Sequence, residues 1–372
     1  AMLSEALFSL EQPLNDFFLF LSAPDWLRGI VVDGVFRTLA WVISVMLPPM
    51  AIFFPLFTLL EDSGYLPRIA FNLDHFFCKA CAHGKQALTM CMGFGCNACG
   101  VIGCRIIDSP RERLIAILTN NFVPCNGRFP TLIAIITMFF AGAVGGAFQS
   151  VVSTLMLTGV IVLGVFMTLM ISRLLSKTIL KGLPSSFNLE LPPYRRPQVG
   201  KVIVRSIFDR TLFVLGRAVV VAAPAGLVIW VLANISVGDM SLLAHCAAFL
   251  DPFARLMGLD GYILMAFILG FPANEIVVPI IIMSYMATGT LTELENLSEL
   301  HTLLVSNGWT WLTAVCTMLF CLLHWPCGTT CLTVKKETQS LKWTLAAFAI
   351  PTATGIILCM LVANTVRLLG LA

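Results

Sequence analysis

From Thr131 to Ser172 the chain passes through roughly 42 residues without one Asp, Glu, Lys, Arg or His. About 20 apolar helical residues cross the hydrocarbon core of a bilayer, so this stretch fits two spans joined at Gly145-Gly146-Ala147-Phe148-Gln149-Ser150. Trp343 to Val366 is a further uncharged stretch. Alternation with a period of two is absent, and backbone groups in lipid must find partners within their own segment, so helices rather than strands do the crossing. Composition agrees: 58% of the 372 residues are hydrophobic and 12% are charged, against about one-quarter charged in soluble domains. The chain reads as an all-α polytopic membrane protein of about seven to eight membrane helices.

The charges orient it. Nine Lys or Arg residues lie between Arg173 and Arg217, against Glu190 and Asp209. By the positive-inside rule this segment is a cytoplasmic loop, a reading preferred to a nucleic-acid surface. Glu293, Glu295 and Glu299 stand without a neighbouring Lys or Arg, which places their loop outside, while Lys335, Lys336 and Lys342 belong inside. If Leu212–Leu232 crosses outward, Tyr262–Ala287 cannot also cross without bringing the acidic loop in. That segment, interrupted at Phe271-Pro272, is therefore expected to be broken or re-entrant. The resulting organisation is an interfacial amphipathic segment over 1–35, a first gate half over 36–172, a basic cytoplasmic loop over 173–210 and a second gate half over 211–372. Within the first half, Phe36–Leu60 is the first span.

Polar helix breakers recur in the same order in the two halves. Gly93-Phe94-Gly95-Cys96-Asn97 is echoed by Gly270-Phe271-Pro272-Ala273-Asn274-Glu275, and Val123-Pro124-Cys125-Asn126-Gly127 by Trp325-Pro326-Cys327-Gly328. Glycine pairs and prolines make a continuous helix costly, and unwound backbone at membrane depth is tolerated where it lines a cavity. Duplicated interrupted helices are the pattern of a transporter whose site lies between two repeats. Cys96, Cys125 and Cys327 are soft ligands suited to a transition metal. Asn97 and Asn274 add amides, and Glu275, the lone charge between Asp260 and Glu293, is an intramembrane carboxylate fit to contact a cation or exchange protons. His324 is a secondary candidate, better suited to hydrogen bonding. Cys78-Lys79-Ala80-Cys81 with His83, and the Cys96/Cys99 pair, are weak C-x-x-C signals. Gly142 and Gly146, with Ala141 and Gly145, form small-residue patterns for close helix packing. No G-x-x-x-x-G-K-[ST] string occurs, so the chain holds no phosphate loop with which to drive itself.

At these residues the chain resembles the membrane region of the FeoB ferrous-iron transporters. The likeness runs through Leu60-Glu61-Asp62-Ser63-Gly64-Tyr65, Gly93-Phe94-Gly95-Cys96-Asn97, Arg111-Glu112-Arg113-Leu114, Gly270-Phe271-Pro272-Ala273-Asn274-Glu275, and Pro326-Cys327 with Lys336-Glu337-Thr338. Cys99 stands where the family commonly has proline, and Pro124 where it tends to have serine. The resemblance implies Fe²⁺ as substrate in a bacterial plasma (inner) membrane and no enzymatic activity or cofactor in this chain. It also implies a GTP-binding domain, with GTP and Mg²⁺, outside this chain in cis or in trans, small Feo-type cytoplasmic partners and a homo-oligomer. It assigns Cys96, Cys125 and Cys327 to the iron path. Rival readings are a membrane thiol-disulfide oxidoreductase using Cys96/Cys99 or Cys327/Cys331, and a carrier of an organic, nucleoside-like solute.

Overall fold

The computed structural model describes residues 2–79, 82–142, 148–182, 199–200, 204, 206–238, 240–292, 294 and 296–370. Most of the basic loop, Gly145 and Gly146, Cys81, the Cys78 side chain, and Glu293 and Glu295 lie outside the described residues. Among the described residues, five helices are long and apolar enough to cross a bilayer, or six if one sharply bent pair counts as a span. Phe129–Ala141 and Asn274–Met286 are shorter apolar helices. Aliphatic and aromatic side chains such as Leu155, Val162, Phe166, Ile357 and Leu361 point outward from the helices Phe148–Lys177 and Leu341–Leu368, as a lipid-facing surface requires.

The elements follow in chain order. Helices α1 (Met2–Ser9) and α2 (Glu11–Phe20) precede α3 (Asp25–Leu60), so the first span begins earlier than Phe36 and runs through Pro48, Pro49 and Pro55 without ending. Then come α4 (Tyr65–Lys79), α5 (Gln86–Gly95), α6 (Asn97–Gly103), α7 (Pro110–Thr119), α8 (Phe129–Ala141) and α9 (Phe148–Lys177). The second half supplies α10 (Leu212–Asn234), α11 (Leu242–Leu256), α12 (Gly261–Leu269), α13 (Val277–Met286), α14 (Leu297–Ser306), α15 (Trp311–Leu323), α16 (Gly328–Thr338) and α17 (Leu341–Leu368).

Polar contacts at the two ends of the molecule fix the direction of each element. At the basic end, Lys85 Nζ meets Asp108 at 2.7 Å, Arg105 grips Glu337, and Arg111 Nη2 donates to Ser176 at 2.5 Å. These contacts join the feet of α5, α6, α7, α9 and α16. Helices α5 and α6 therefore enter and leave at one end and form a re-entrant hairpin with its tip at Cys96. At the opposite end Tyr285 donates to Asp260, Trp309 Nε1 donates to Tyr285 at 2.8 Å, and Asn234 Nδ2 donates to Gly289 O at 2.7 Å. Helices α12 and α13 thus form a second hairpin, with its tip at Pro272-Ala273 and the opposite orientation. The charge accounting that denied Tyr262–Ala287 a full crossing is realised in this arrangement. A bend of 109° between α11 and α12, ahead of the breaker motif, turns the chain from the surface into the hairpin. Asp260 marks that corner by accepting from Ile263 N at 2.6 Å as the N-cap.

Each hairpin is followed by a span broken at mid-depth. One is α7 and α8, running away from the basic end until Phe139 stacks on Trp309; the other is α15 and α16, running back toward it. With α3 and α10 antiparallel, and α9 and α17 likewise, the two halves are inverted repeats of one plan.

Candidate functional site

The duplicated motifs share a backbone as well as a spelling. Cys96 lies at φ −156°, ψ 124° and Ala273 at φ −154°, ψ 123°, each a single extended residue between two helical segments. The glycines act differently from their sequence role as breakers. Helix α5 runs through Gly93 and Gly95 before it ends. A Cβ at Gly93 or Gly100 would meet the Asn120 amide, and one at Gly95 the Phe53 ring. The glycines let the first hairpin clasp Asn120, whose Nδ2 donates to the Asn97 carbonyl at 3.1 Å.

All four breaks converge on one cavity of about 30 Å³. It is lined by Gly95, Cys96 and Asn97 from the first break, Cys125, Asn126 and Gly127 from the second, Pro272 to Glu275 from the third, and Cys327 and Thr329 from the fourth, with Met46 and Met50 of α3 closing one wall. Every sequence candidate for the path therefore reaches the same cavity. Asn274 Nδ2 lies 3.8 Å from Cys125 Sγ, and its Oδ1 lies 3.3 Å from His324 Nε2. Cys327 Sγ lies 3.2 Å from Thr330 Oγ1. Asn97 Nδ2 lies 3.1 Å from Asn121 Oδ1. Glu275 rests its carboxylate where a Cβ on Gly127 would fall. Among the described residues, no three His, Cys, Asp or Glu side chains close to a metal-binding group. The thiols surround the space without forming a chelate, and His324, buried among Phe267, Phe320 and Trp325, serves as a hydrogen-bonding residue.

Breaking helices at membrane depth frees carbonyls that need donors. Four such carbonyls, of Asn121, Leu322, His324 and Trp325, are served by Arg128, a residue the breaker motifs did not single out. Its side chain is fully buried at 0% exposure. Nη1 donates to Asn121 O at 2.7 Å and Leu322 O at 2.8 Å, and Nη2 reaches Asn121 Oδ1 at 3.1 Å and the His324 and Trp325 carbonyls at 3.3 Å. One guanidinium thus joins the broken spans of both halves. Its signal was in the sequence, since Arg128 is the sole charge between Arg113 and Arg173. Asn121 assists by donating to His324 O at 2.7 Å, and Gly328 N bonds Phe271 O at 2.7 Å, tying the third break to the fourth. Helices α6 and α16 point their N-termini at the cavity from Cys96 and Cys327.

Comparison with known proteins places this architecture. Residues 43–140 and 215–341 match the Gate model, described as nucleoside recognition, and residues 157–209 match the model of the ferrous iron transport protein B C terminus. A protein of Staphylococcus aureus named Fe(2+) transporter FeoB is 30% identical over 347 residues, 91% of this chain and 49% of that protein. One of the same name from Methanocaldococcus jannaschii is 29% identical, over 99% of this chain and 55% of its own length. A Porphyromonas gingivalis relative, named as a fusion of Fe(2+) transport protein A and Fe(2+) transporter FeoB, is 26% identical over 87% of this chain and 42% of its own. The chain spans about half the length of these relatives, and no solved structure matches it. With Gate matches on both sides of the basic loop and the ferrous iron transport protein B match across it, this multi-pass membrane chain belongs to the Gate family as a FeoB-type membrane region.

Proposed function

We propose that the chain is the permease part of a ferrous-iron importer, with Fe²⁺ crossing through the cavity where the four breaks meet. The observation that carries this reading is the convergence of three thiols, three amides and one carboxylate on a space of about 30 Å³. Such a space holds an ion or a water but not an organic solute, whose pockets run to about 300–1,000 Å³. That size separates the reading from a nucleoside carrier, despite the description attached to the Gate model. A dication stripped of water in a lipid-like dielectric would cost tens of kcal/mol without ligands. Cys96, Cys125 and Cys327, the amides of Asn97 and Asn274, and Glu275 supply replacements from four separate elements. Because they do not converge as a closed chelate, ligands can be exchanged one at a time and the ion can leave. The same thiols favour Zn²⁺ or Cu over Fe²⁺ by intrinsic affinity, so selection for iron rests on geometry and supply.

The 25–172 and 211–372 halves act as the two moving repeats, with the 173–210 loop on the cytoplasmic side of a bacterial inner membrane and α1 and α2 at the interface. The chain performs no reaction itself. A GTP-binding domain in cis or in trans, with its Mg²⁺, supplies regulation. The fused relative's name supports a small Feo-type cytoplasmic partner, and the two-repeat body can assemble as a homo-oligomer. A thiol-disulfide oxidoreductase is disfavoured because the relatives that match over most of this chain are named Fe(2+) transporters. The test is Fe²⁺ flux into proteoliposomes under anaerobic, reducing conditions, with Cys96→Ser, Cys125→Ser and Cys327→Ser. Each substitution is expected to slow flux while leaving the fold intact; undiminished flux in all three would reject the thiol path.

A further inference from the structure

Beyond the cavity, the half-helices α6 and α16 both start at it, at Cys96 and Cys327, and pack together on the way to the basic end. One face of α16 carries Thr329, Thr333 and Glu337 at i, i+4 and i+8. Thr329 lines the cavity, and about 12 Å of helix rise separates it from Glu337. Thr333 is fully buried and accepts from Arg217 Nη1 at 2.9 Å. At the end of this stripe Arg105, just past α6, grips Glu337 with two bonds of 2.7 Å. The pair is lopsided: the Glu337 side chain is 9% exposed and that of Arg105 is 62% exposed. Arg105 can swing into water at little desolvation cost, whereas Glu337 stays fixed and would be left as an uncompensated, largely buried carboxylate.

We propose that Glu337 is the carboxylate that receives the divalent cation leaving the cavity toward the basic end, and that Arg105 is its exchangeable counter-ion. This rests on the cation-transport reading above and adds an exit site to it. With no ion in transit, the guanidinium compensates Glu337 and bolts α6 to α16 across the mouth. An arriving dication takes its place, because a double charge near the same carboxylate is attracted more strongly than a single one. The carboxylate is then never stripped of positive charge, and the mouth opens as the ion passes. When the ion departs into the cytoplasm, Arg105 returns. Thr329 and Thr333 supply hydroxyl oxygens along the route, and Arg217 guards its midpoint as Arg105 guards its end.

The test uses the full-length protein in proteoliposomes with the basic end exposed. It combines peptide-resolved labelling of Cys327 by a membrane-impermeant maleimide in metal-free buffer with Fe²⁺ flux under reducing conditions. Arg105→Gln and Glu337→Gln both remove the bolt, so both should raise labelling severalfold. Their effects on flux should diverge: Arg105→Gln keeps or raises it, while Glu337→Gln lowers it roughly 30-fold or more, the size expected when a carboxylate that pairs with a cation is neutralised. The exchanged pair R105E/E337R should return labelling toward the native level. Unchanged labelling in both single variants would overturn the bolt, and equal flux losses in both would overturn the exit site. If the native protein passes no Fe²⁺, the transport reading fails and the exit site with it, while the labelling arm still decides whether the pair closes the mouth.

Discussion

Arg128→Met is the most informative perturbation of the site's framework. The methionine keeps an apolar stem of comparable reach but removes every donor of the guanidinium, of which those to Asn121 O at 2.7 Å and Leu322 O at 2.8 Å are short and well placed. Hydrogen bonds to a charged group contribute about 1.5–3 kcal/mol each, so the two short ones amount to roughly 3–6 kcal/mol. The three longer bonds are left out of this sum, and so is the desolvation recovered when a buried charge is deleted, which acts in the opposite direction. The expected net destabilisation is about 3 kcal/mol, near the lower end of that range. Arg128→Lys keeps the charge but not the planar fork, and a single ammonium cannot serve carbonyls on two sides; about 1–2 kcal/mol should be lost. Thermal unfolding in detergent, followed by a thiol-reactive dye that reports the many buried cysteines, should show a midpoint lowered by roughly 4 °C for Met, at about 1.3 °C per kcal/mol for a chain of 372 residues. The order native, Lys, Met is the signature of donors serving freed carbonyls. Equal midpoints for all three would show that packing alone joins the broken spans.

Other outcomes follow from single interactions. Gly127→Ala places a methyl on the Glu275 carboxylate, so Fe²⁺ flux should fall 10- to roughly 100-fold through displacement of that group while the thermal midpoint changes little. Tyr285→Phe removes the hydroxyl shared by Asp260 and Trp309; hydrogen exchange across Val277–Met286 should accelerate, consistent with a loss of about 1–2 kcal/mol at the open end of the hairpin. The hydrogen bond from Lys85 holds the exposed Asp108 carboxyl below the usual carboxylate range. A depressed carboxylate contributes its stabilisation above the ordinary value near 4 and loses it as pH falls through the lower one. The protection of Gln86–Gly95, exchange taken relative to the intrinsic amide rate at each pH, should therefore be flat from neutral pH to about 5 and fall only in stronger acid, whereas Asp108→Asn should show the lower protection throughout.

Much of this plan was readable from local sequence because membrane helices advertise their interruptions. Prolines and isolated polar residues in apolar runs located the four breaks, and the sign of flanking charge was enough to deny Tyr262–Ala287 a full crossing. The first hairpin was harder to read, since its closure depends on Lys85 meeting Asp108, a pairing across 23 positions that no local pattern announces. Gly93 and Gly100 were legible as unusual but not as a slot for Asn120, because the occupant comes from another element. The bend ahead of Asp260 was hidden by the stronger breaker at Phe271-Pro272. Arg128 was visible as a solitary charge, yet its partners are backbone carbonyls, which every residue possesses and no motif can mark. The convergence of four breaks on one cavity is a property of the inverted arrangement and appears only in three dimensions.

The near-identical backbone angles of Cys96 and Ala273 carry a consequence for motion. On the transport reading proposed above, two hinges of equal shape mounted head to tail would give the molecule a pair of conformers that are approximate mirror partners: what one half adopts at the basic end, the other would adopt at the opposite end. In a perfect duplicate those conformers would be degenerate and the resting protein would favour neither. Here one hinge bears a sulfur and the other a methyl, so an ion that bonds the sulfur stabilises the two conformers unequally. Cargo itself then becomes the bias that tells one half of the molecule from the other.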